Sequence, residues 1–362
     1  MQSETLLEQD IHFKGNKGTE TKSKKKAWLM WIQGSTLVLG FGLLVLVIYF
    51  IGYKTVLESL STVGWGFIPI IALNVSRHFL RSFSMYLAIP REHRTFKYRS
   101  AVAARFGGEA ISFLTFTGPF LGDATKAILL KRNITIEQGA SAVLIDNVLY
   151  YVTVVLMIMA GVAGMVALYG TGSPAMANLL LAIVIGAIAV FVALILAIMF
   201  RVTPISSILR MLDKRGLVPK FVLKMQQGIL DVETNVFHFY HHRRTDFFML
   251  FGISSLVHVV SVCEVYLAVK LLGFEPFWST AFIIESLTKV INVVFGFVPG
   301  TIGVYEGGNG LILHTLGYAT AVGVALALIR RGAMIFSLFV GLTVLLLRMI
   351  DRTKTLVAPE AE

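Results

Sequence analysis

Apolar residues occur in long runs over 28–53, 63–89, 137–169, 178–200, 246–271 and 318–349. Each run is long enough to supply the roughly 20 apolar residues a helix needs to cross a bilayer. Two further stretches, about 100–131 and 277–316, are apolar but broken. Thr117-Gly118-Pro119-Phe120-Leu121-Gly122 interrupts the first, and Val298-Pro299-Gly300-Thr301-Ile302-Gly303 the second. Proline removes a backbone donor and glycine weakens a helix, so both stretches are predicted to stop and restart within the membrane.

Composition narrows the class. Of 362 residues, 56% are hydrophobic and 15% are charged, against about 25% charged in a soluble domain. That excludes a water-soluble globule, a disordered chain and a collagen-like repeat, and leaves a polytopic membrane protein. The net charge is +11, from 32 Lys and Arg against 21 Asp and Glu. In a membrane chain such an excess reports orientation, so no nucleic-acid partner is expected. One cysteine, Cys263, gives neither an intrachain disulfide nor a cysteine-based metal cage.

The basic residues then set the topology. Lys22, Lys24, Lys25 and Lys26 precede the first run, within a polar tail over 1–26 that reads as disordered and cytoplasmic. Arg91, Arg94, Lys97 and Arg99 follow the second run, and eight Lys and Arg lie in 201–245. The segments 54–62, 170–177 and 272–276 are nearly uncharged. Six crossing helices alternate correctly with these loops only if the two broken stretches enter and leave on one side, as re-entrant hairpins. The expected fold is therefore an all-α polytopic membrane protein, with about six crossing helices and two re-entrant helical hairpins. A membrane domain over 27–350 carries an amphipathic cytoplasmic linker at 201–245. A short cytoplasmic tail follows at 351–362. The expected location is the cell membrane, multi-pass, with both termini cytoplasmic.

That layout contains an inverted repeat, with units at about 63–169 and 246–349. Gly118-Pro119-x-x-Gly122 matches Pro299-Gly300-x-x-Gly303, and Gly139 with Asp146 matches Gly323 with Arg330 at a spacing of seven. Inverted units with broken helices near the midplane are a transporter architecture. A helix restarting after Gly122 would offer free N–H groups at Asp123, Ala124 and Thr125, and one restarting after Gly303 at Val304, Tyr305 and Glu306. Such ends bind anions, and Lys126 adds charge to the first. Asp123 would cap its helix, pair with an arginine or carry a proton.

Ionisable residues inside membrane segments are costly and mark polar cavities or partners. Asn74, Arg77 and Arg81 share one helix face, with His78 beside them. Arg105 with Glu109, and Glu285 with Lys289, are i,i+4 pairs that can neutralise themselves along a helix. Arg81, near its helix end, reads as snorkelling to the headgroups, and His258 and Glu264 read as structural. His238, His241 and His242, followed by Arg243 and Arg244, read as an interfacial basic patch, because no second histidine box accompanies them.

At the two breaks the chain resembles a known family. The run Gly107-Gly108-Glu109 … Thr117-Gly118-Pro119-Phe120-Leu121-Gly122-Asp123-Ala124-Thr125-Lys126 is similar to the first signature of the flippase-like membrane family that includes the transmembrane region of lysylphosphatidylglycerol synthetases. Val298-Pro299-Gly300-Thr301-Ile302-Gly303-Val304-Tyr305-Glu306-Gly307 is similar to the second. The resemblance spans about 35–350. Lys126 stands where an arginine is common, and Thr301 where a glycine is common. The resemblance implies movement of a charged, phosphate-bearing lipid between leaflets. It implies no aminoacyl-transfer activity, since the chain continues only about a dozen residues past its last run.

Together these readings predict a lipid transporter, passive or ion-coupled. Its headgroup site would be drawn from Arg77, Arg105, Glu109, Thr117, Gly118, Pro119, Gly122, Asp123, Lys126, Asp146, Glu285, Lys289, Pro299, Gly300, Gly303, Glu306 and Arg330. No catalytic residue, metal set or cofactor is expected, and no nucleotide-binding loop is present in the sequence. Two alternatives stay open. One is a membrane-embedded enzyme with Asp123 and Glu306 as bases. The other is a subunit that presents lipid to a separate lipid-modifying enzyme. An oligomer is compatible with either.

Overall fold

The structure is a computed structural model that describes residues 61, 63–115, 119–200, 204–214, 226–296, 298, 301 and 303–357. The tail 1–26, the run 28–53 and the proposed site residues Thr117, Gly118, Pro299 and Gly300 lie outside the described residues.

Among the described residues eleven α-helices have defined bounds, and there is no strand. They are α1 Phe67–Ala88, α2 Tyr98–Leu114, α3 Pro119–Leu130, α4 Ile136–Tyr169, α5 Pro174–Met199, α6 Pro204–Asp213, α7 Gln226–His242, α8 Arg244–Leu271, α9 Trp278–Val294, α10 Val304–Thr315 and α11 Thr320–Val357. Local chemistry explains several ends. The Thr135 hydroxyl accepts from the Gln138 N–H at 3.3 Å, and the Gln138 side chain accepts from the Thr135 N–H at 3.2 Å, a reciprocal cap that starts α4. Proline opens α3, α5 and α6, where its missing N–H costs nothing.

Among the described residues four helices are long and apolar enough to cross a membrane: α4, α5 over Pro174–Ala193, α8, and α11 over Thr320–Arg348. The second apolar run forms α1, but α1 is not one of these four. It carries Asn74, Arg77, His78 and Arg81 within its 22 residues. Helix α5 is apolar on every side and mostly exposed, as a helix surrounded by lipid should be.

The two broken stretches form helix pairs of matching size. Helices α2 and α3 have 17 and 12 residues, and α9 and α10 have 17 and 12. At 1.5 Å per residue these are about 26 and 18 Å long, short of a hydrocarbon core of about 30 Å. The first restart differs from expectation. Helix α3 begins at Pro119, not after Gly122, because proline is itself a good first helical residue. The open N–H groups of its first turn are therefore those of Phe120 and Leu121. Gly122 serves instead as a crossing point. A Cβ there would stand 2.7 Å from the Gly108 carbonyl, and one at Gly108 would stand 2.7 Å from that of Gly122. The second restart, at Val304 after Gly303, is where the sequence puts it.

Packing follows a matched pattern. Helix α4 packs on α9, α11 packs on α2, and α1 lies along α8. Gly139 brings α4 against the Ala127 backbone of α3, and Gly323 brings α11 against the Asn309 backbone of α10. Two apolar cores result. One joins α1, α4, α8, α9, α10 and α11 through residues such as Ile70, Ile158, Val265, Ile284 and Leu313. The other joins α1 to α4 with α7 and α8 through Met85, Ala104, Leu149, Phe239 and Leu250. Helix α7 docks on α4 through one face, burying Glu233, Val236 and Phe239. Helix α11 also outruns its expected end at 349 and continues to Val357.

Candidate functional site

The helix pairs α2/α3 and α9/α10 meet α1, α4 and α11 around a cavity of about 360 Å³. Helix α1 contributes Asn74, Arg77, His78 and Arg81, because spacings of three and four residues stack them on one face. Helix α2 contributes Arg105, Glu109 and Ser112, α4 contributes Tyr150, and α9 contributes Lys289 and Asn292. Thr115, Thr301, Tyr305 and Ser337 complete the polar wall.

Behind this wall lie two ion-pair networks. In the first, Asp146 on α4 is held between Arg81 at 2.6 Å and Arg105 at 2.9 Å. Arg105 also reaches Glu109 at 3.1 Å, and Lys126 joins Glu109 to Asp123, at 2.9 Å each. Asn147 closes the ring, donating to Asp123 at 2.6 Å and accepting from Arg81 at 2.9 Å. In the second, Arg330 on α11 is held between Glu264 at 3.2 Å and Glu285 at 2.8 Å. Glu285 also pairs with Lys289 at 2.7 Å, and Glu264 with Arg77 at 3.1 Å.

The second network repeats the first with every sign reversed. An acid on α4 sits between bases on α1 and α2, and a base on α11 sits between acids on α8 and α9. The i,i+4 partners Glu109 and Lys289 extend the two in the same way. Arg77 and Arg81, one turn apart on α1, bring the networks together. Tyr150 lies between them, with its ring 3.9 Å under the Arg81 guanidinium and its hydroxyl 3.4 Å from the Lys289 Nζ. The first network balances Arg81, Arg105 and Lys126 against Glu109, Asp123 and Asp146. The second sets Arg77, Lys289 and Arg330 against Glu264 and Glu285, which leaves one positive charge.

The unmet hydrogen-bonding capacity of the wall is biased in the same direction. Asn74 Nδ2 and the Nε atoms of Arg77, Arg81 and Arg105 are buried donors without a partner among the described residues, and all four residues line the cavity. Asn74 is oriented by Ser337, whose hydroxyl donates to its carbonyl oxygen at 2.8 Å, leaving the amide nitrogen open. Unpaired buried donors are expensive, so this wall suits an occupant rich in acceptor oxygens and negatively charged.

The residues anticipated from sequence divide accordingly. Arg77, Arg105, Glu109, Pro119 and Lys289 line the cavity. Asp146, Glu285 and Arg330 lie behind it as buried partners. Lys126 is buried between two carboxylates and is not on the wall. Gly122 packs helices, as described above. At the start of α10 the anion is the protein's own: the Glu306 carboxylate accepts from the Gly303 N–H at 2.8 Å and pairs with Arg331. Arg81 does not snorkel, because Asp146 and Tyr150 draw it into the wall. His258 meets Thr153 at 2.9 Å, and Glu264 pairs with Arg77 and Arg330. Tyr150, Ser337 and the side chain of Tyr305 were not anticipated, since neutral polar residues in apolar runs carry no distinguishing spacing.

His238 and His242 stack at 4.4 Å on α7. Among the described residues no three His, Cys, Asp or Glu side chains converge as a metal site. A family model described as the lysylphosphatidylglycerol synthase TM region matches residues 36–341. No curated protein and no solved structure matches the chain.

Proposed function

The chain belongs to the lysylphosphatidylglycerol synthase TM-region family of membrane proteins, and on that premise we propose that it moves a phosphate-bearing lipid between the two leaflets. The observation that carries this reading is the set of unpartnered buried donors on Asn74, Arg77, Arg81 and Arg105 around one cavity with one excess positive charge. A lipid phosphate supplies the missing acceptors. Its tails would stay in the bilayer while the headgroup passes the wall.

In this reading α2/α3 and α9/α10 are re-entrant hairpins from opposite sides, and the two halves form an inverted repeat. Their rocking alternates access. Both termini are cytoplasmic, in the cell membrane. Movement is passive or coupled to an ion, with Asp123 or Glu306 as the proton carrier, and no bond in the lipid is made or broken. A separate lipid-modifying enzyme would supply or consume the lipid.

Reconstitution in liposomes with headgroup-labelled phospholipid tests this. Arg77→Gln removes a wall donor yet leaves Glu264 paired with Arg330, so the variant should fold and exchange lipid at least tenfold more slowly, the roughly 1.5–3 kcal/mol of a charged hydrogen bond. Exchange equal in wild type, Arg77→Gln and protein-free liposomes refutes transport.

A further inference from the structure

A second hollow, of about 280 Å³, lies between α4, α8 and α9, and shares no lining residue with the charged cavity. Its rim is apolar and exposed: Leu156, Val259 and Trp278 are 38%, 56% and 57% accessible. Deeper in, the wall holds Thr153, Ser255 and His258.

Their hydrogen atoms can be assigned. The Thr153 hydroxyl donates its one hydrogen to the Tyr150 carbonyl at 2.8 Å. Its oxygen is also 2.9 Å from His258 Nε2 and 3.3 Å from the Leu149 carbonyl, and the tautomer that gives every one of these contacts a hydrogen has Nε2 as the donor. In the neutral imidazole Nδ1 is then an acceptor only, and it has no partner among the described residues although His258 is 94% buried, 6% accessible. Ser255 likewise spends its hydrogen on the Phe251 carbonyl at 2.9 Å. These groups offer acceptors, the reverse of the charged cavity. An alkyl tail or a phosphate would leave Nδ1 unsatisfied, whereas a hydroxyl would satisfy it.

We infer that this hollow is a second lipid site, whose occupant is a single-chain alcohol that donates its hydroxyl hydrogen to His258 Nδ1. The hollow, of about 280 Å³, has room for an alkyl segment beside that hydroxyl. The His258 ring lies 4.9 Å from that of Tyr150, tilted by 31°, so the two sites share a wall element.

The test uses the full chain in lipid nanodiscs with three photoreactive probes: a long-chain alkanol bearing a diazirine, its methyl ether, and a diacylglycerol with the same chain. Crosslinks to residues 251–263 are quantified by mass spectrometry. The alkanol should label about fivefold more than the ether, the worth of one hydrogen bond. His258→Asn, which keeps an acceptor near the position of Nδ1, should retain that preference, and His258→Phe should lose it. Equal labelling by alkanol and ether in the unaltered protein overturns the proposal, and that comparison needs no substitution to fold. Stronger labelling by the diacylglycerol overturns the single-chain occupant.

Discussion

Asp146 shows how much a single buried charge determines. It is fully buried and neutralises Arg81 directly, while Arg105 has Glu109 as well. Asp146→Asn should therefore leave Arg81 as an uncompensated buried cation and cost about 3 kcal/mol, the lower end for breaking a buried pair. A fall in the apparent unfolding temperature of the detergent-purified protein checks this; an unchanged temperature would mean that Tyr150 and water carry the Arg81 charge. The local pairs were readable in advance, because Arg105 with Glu109 and Glu285 with Lys289 lie one helical turn apart. The partners of Asp146 and Arg330 were not, because they arrive from helices 41 to 66 residues distant in sequence.

At the level of elements, the helix pairs depend on close backbone contact. Gly122→Leu places carbon where the Gly108 carbonyl and the Ser112 side chain already stand. It should force α2 and α3 apart and destabilise by about 1–3 kcal/mol or more. Gly186→Ala on α5 meets no atom within 4 Å. It should be neutral or stabilising by about 0.5–1 kcal/mol, since alanine is the better helix former. Thermal stability of the two variants side by side distinguishes packing glycines from incidental ones. The sequence marks both breaks through their Gly and Pro residues but misplaces the start of α3 by four residues. Proline opens a helix as readily as it ends one, and only the neighbouring helix shows which role applies.

For the molecule as a whole, the layout makes a prediction about sidedness. With a single cysteine in the sequence, Cys263→Ser gives a background free of thiols. In that background Lys97→Cys, between α1 and α2, and Glu275→Cys, between α8 and α9, should lie on opposite sides of the membrane. An impermeant thiol reagent added to intact cells should label Glu275→Cys alone, and inside-out vesicles should reverse the result. Labelling of both positions from one side would rule out the inverted arrangement and, with it, alternating access through two opposed hairpins.

The hydropathy pattern by itself determined the membrane class, the positions of most helices and the two interruptions, because a bilayer demands long apolar runs and tolerates polar breaks only where they serve a cavity or a partner. Spacing along a helix determined which charges could share a face. Only the tertiary structure decided that Asp146 on α4 and Arg330 on α11 each sit between two partners of opposite charge from other helices. It also decided that Arg81 turns inward, that Lys126 is occupied, and that Glu306 caps its own helix. These outcomes depend on which helices meet, and helix contacts are set by nonlocal packing that no local pattern encodes.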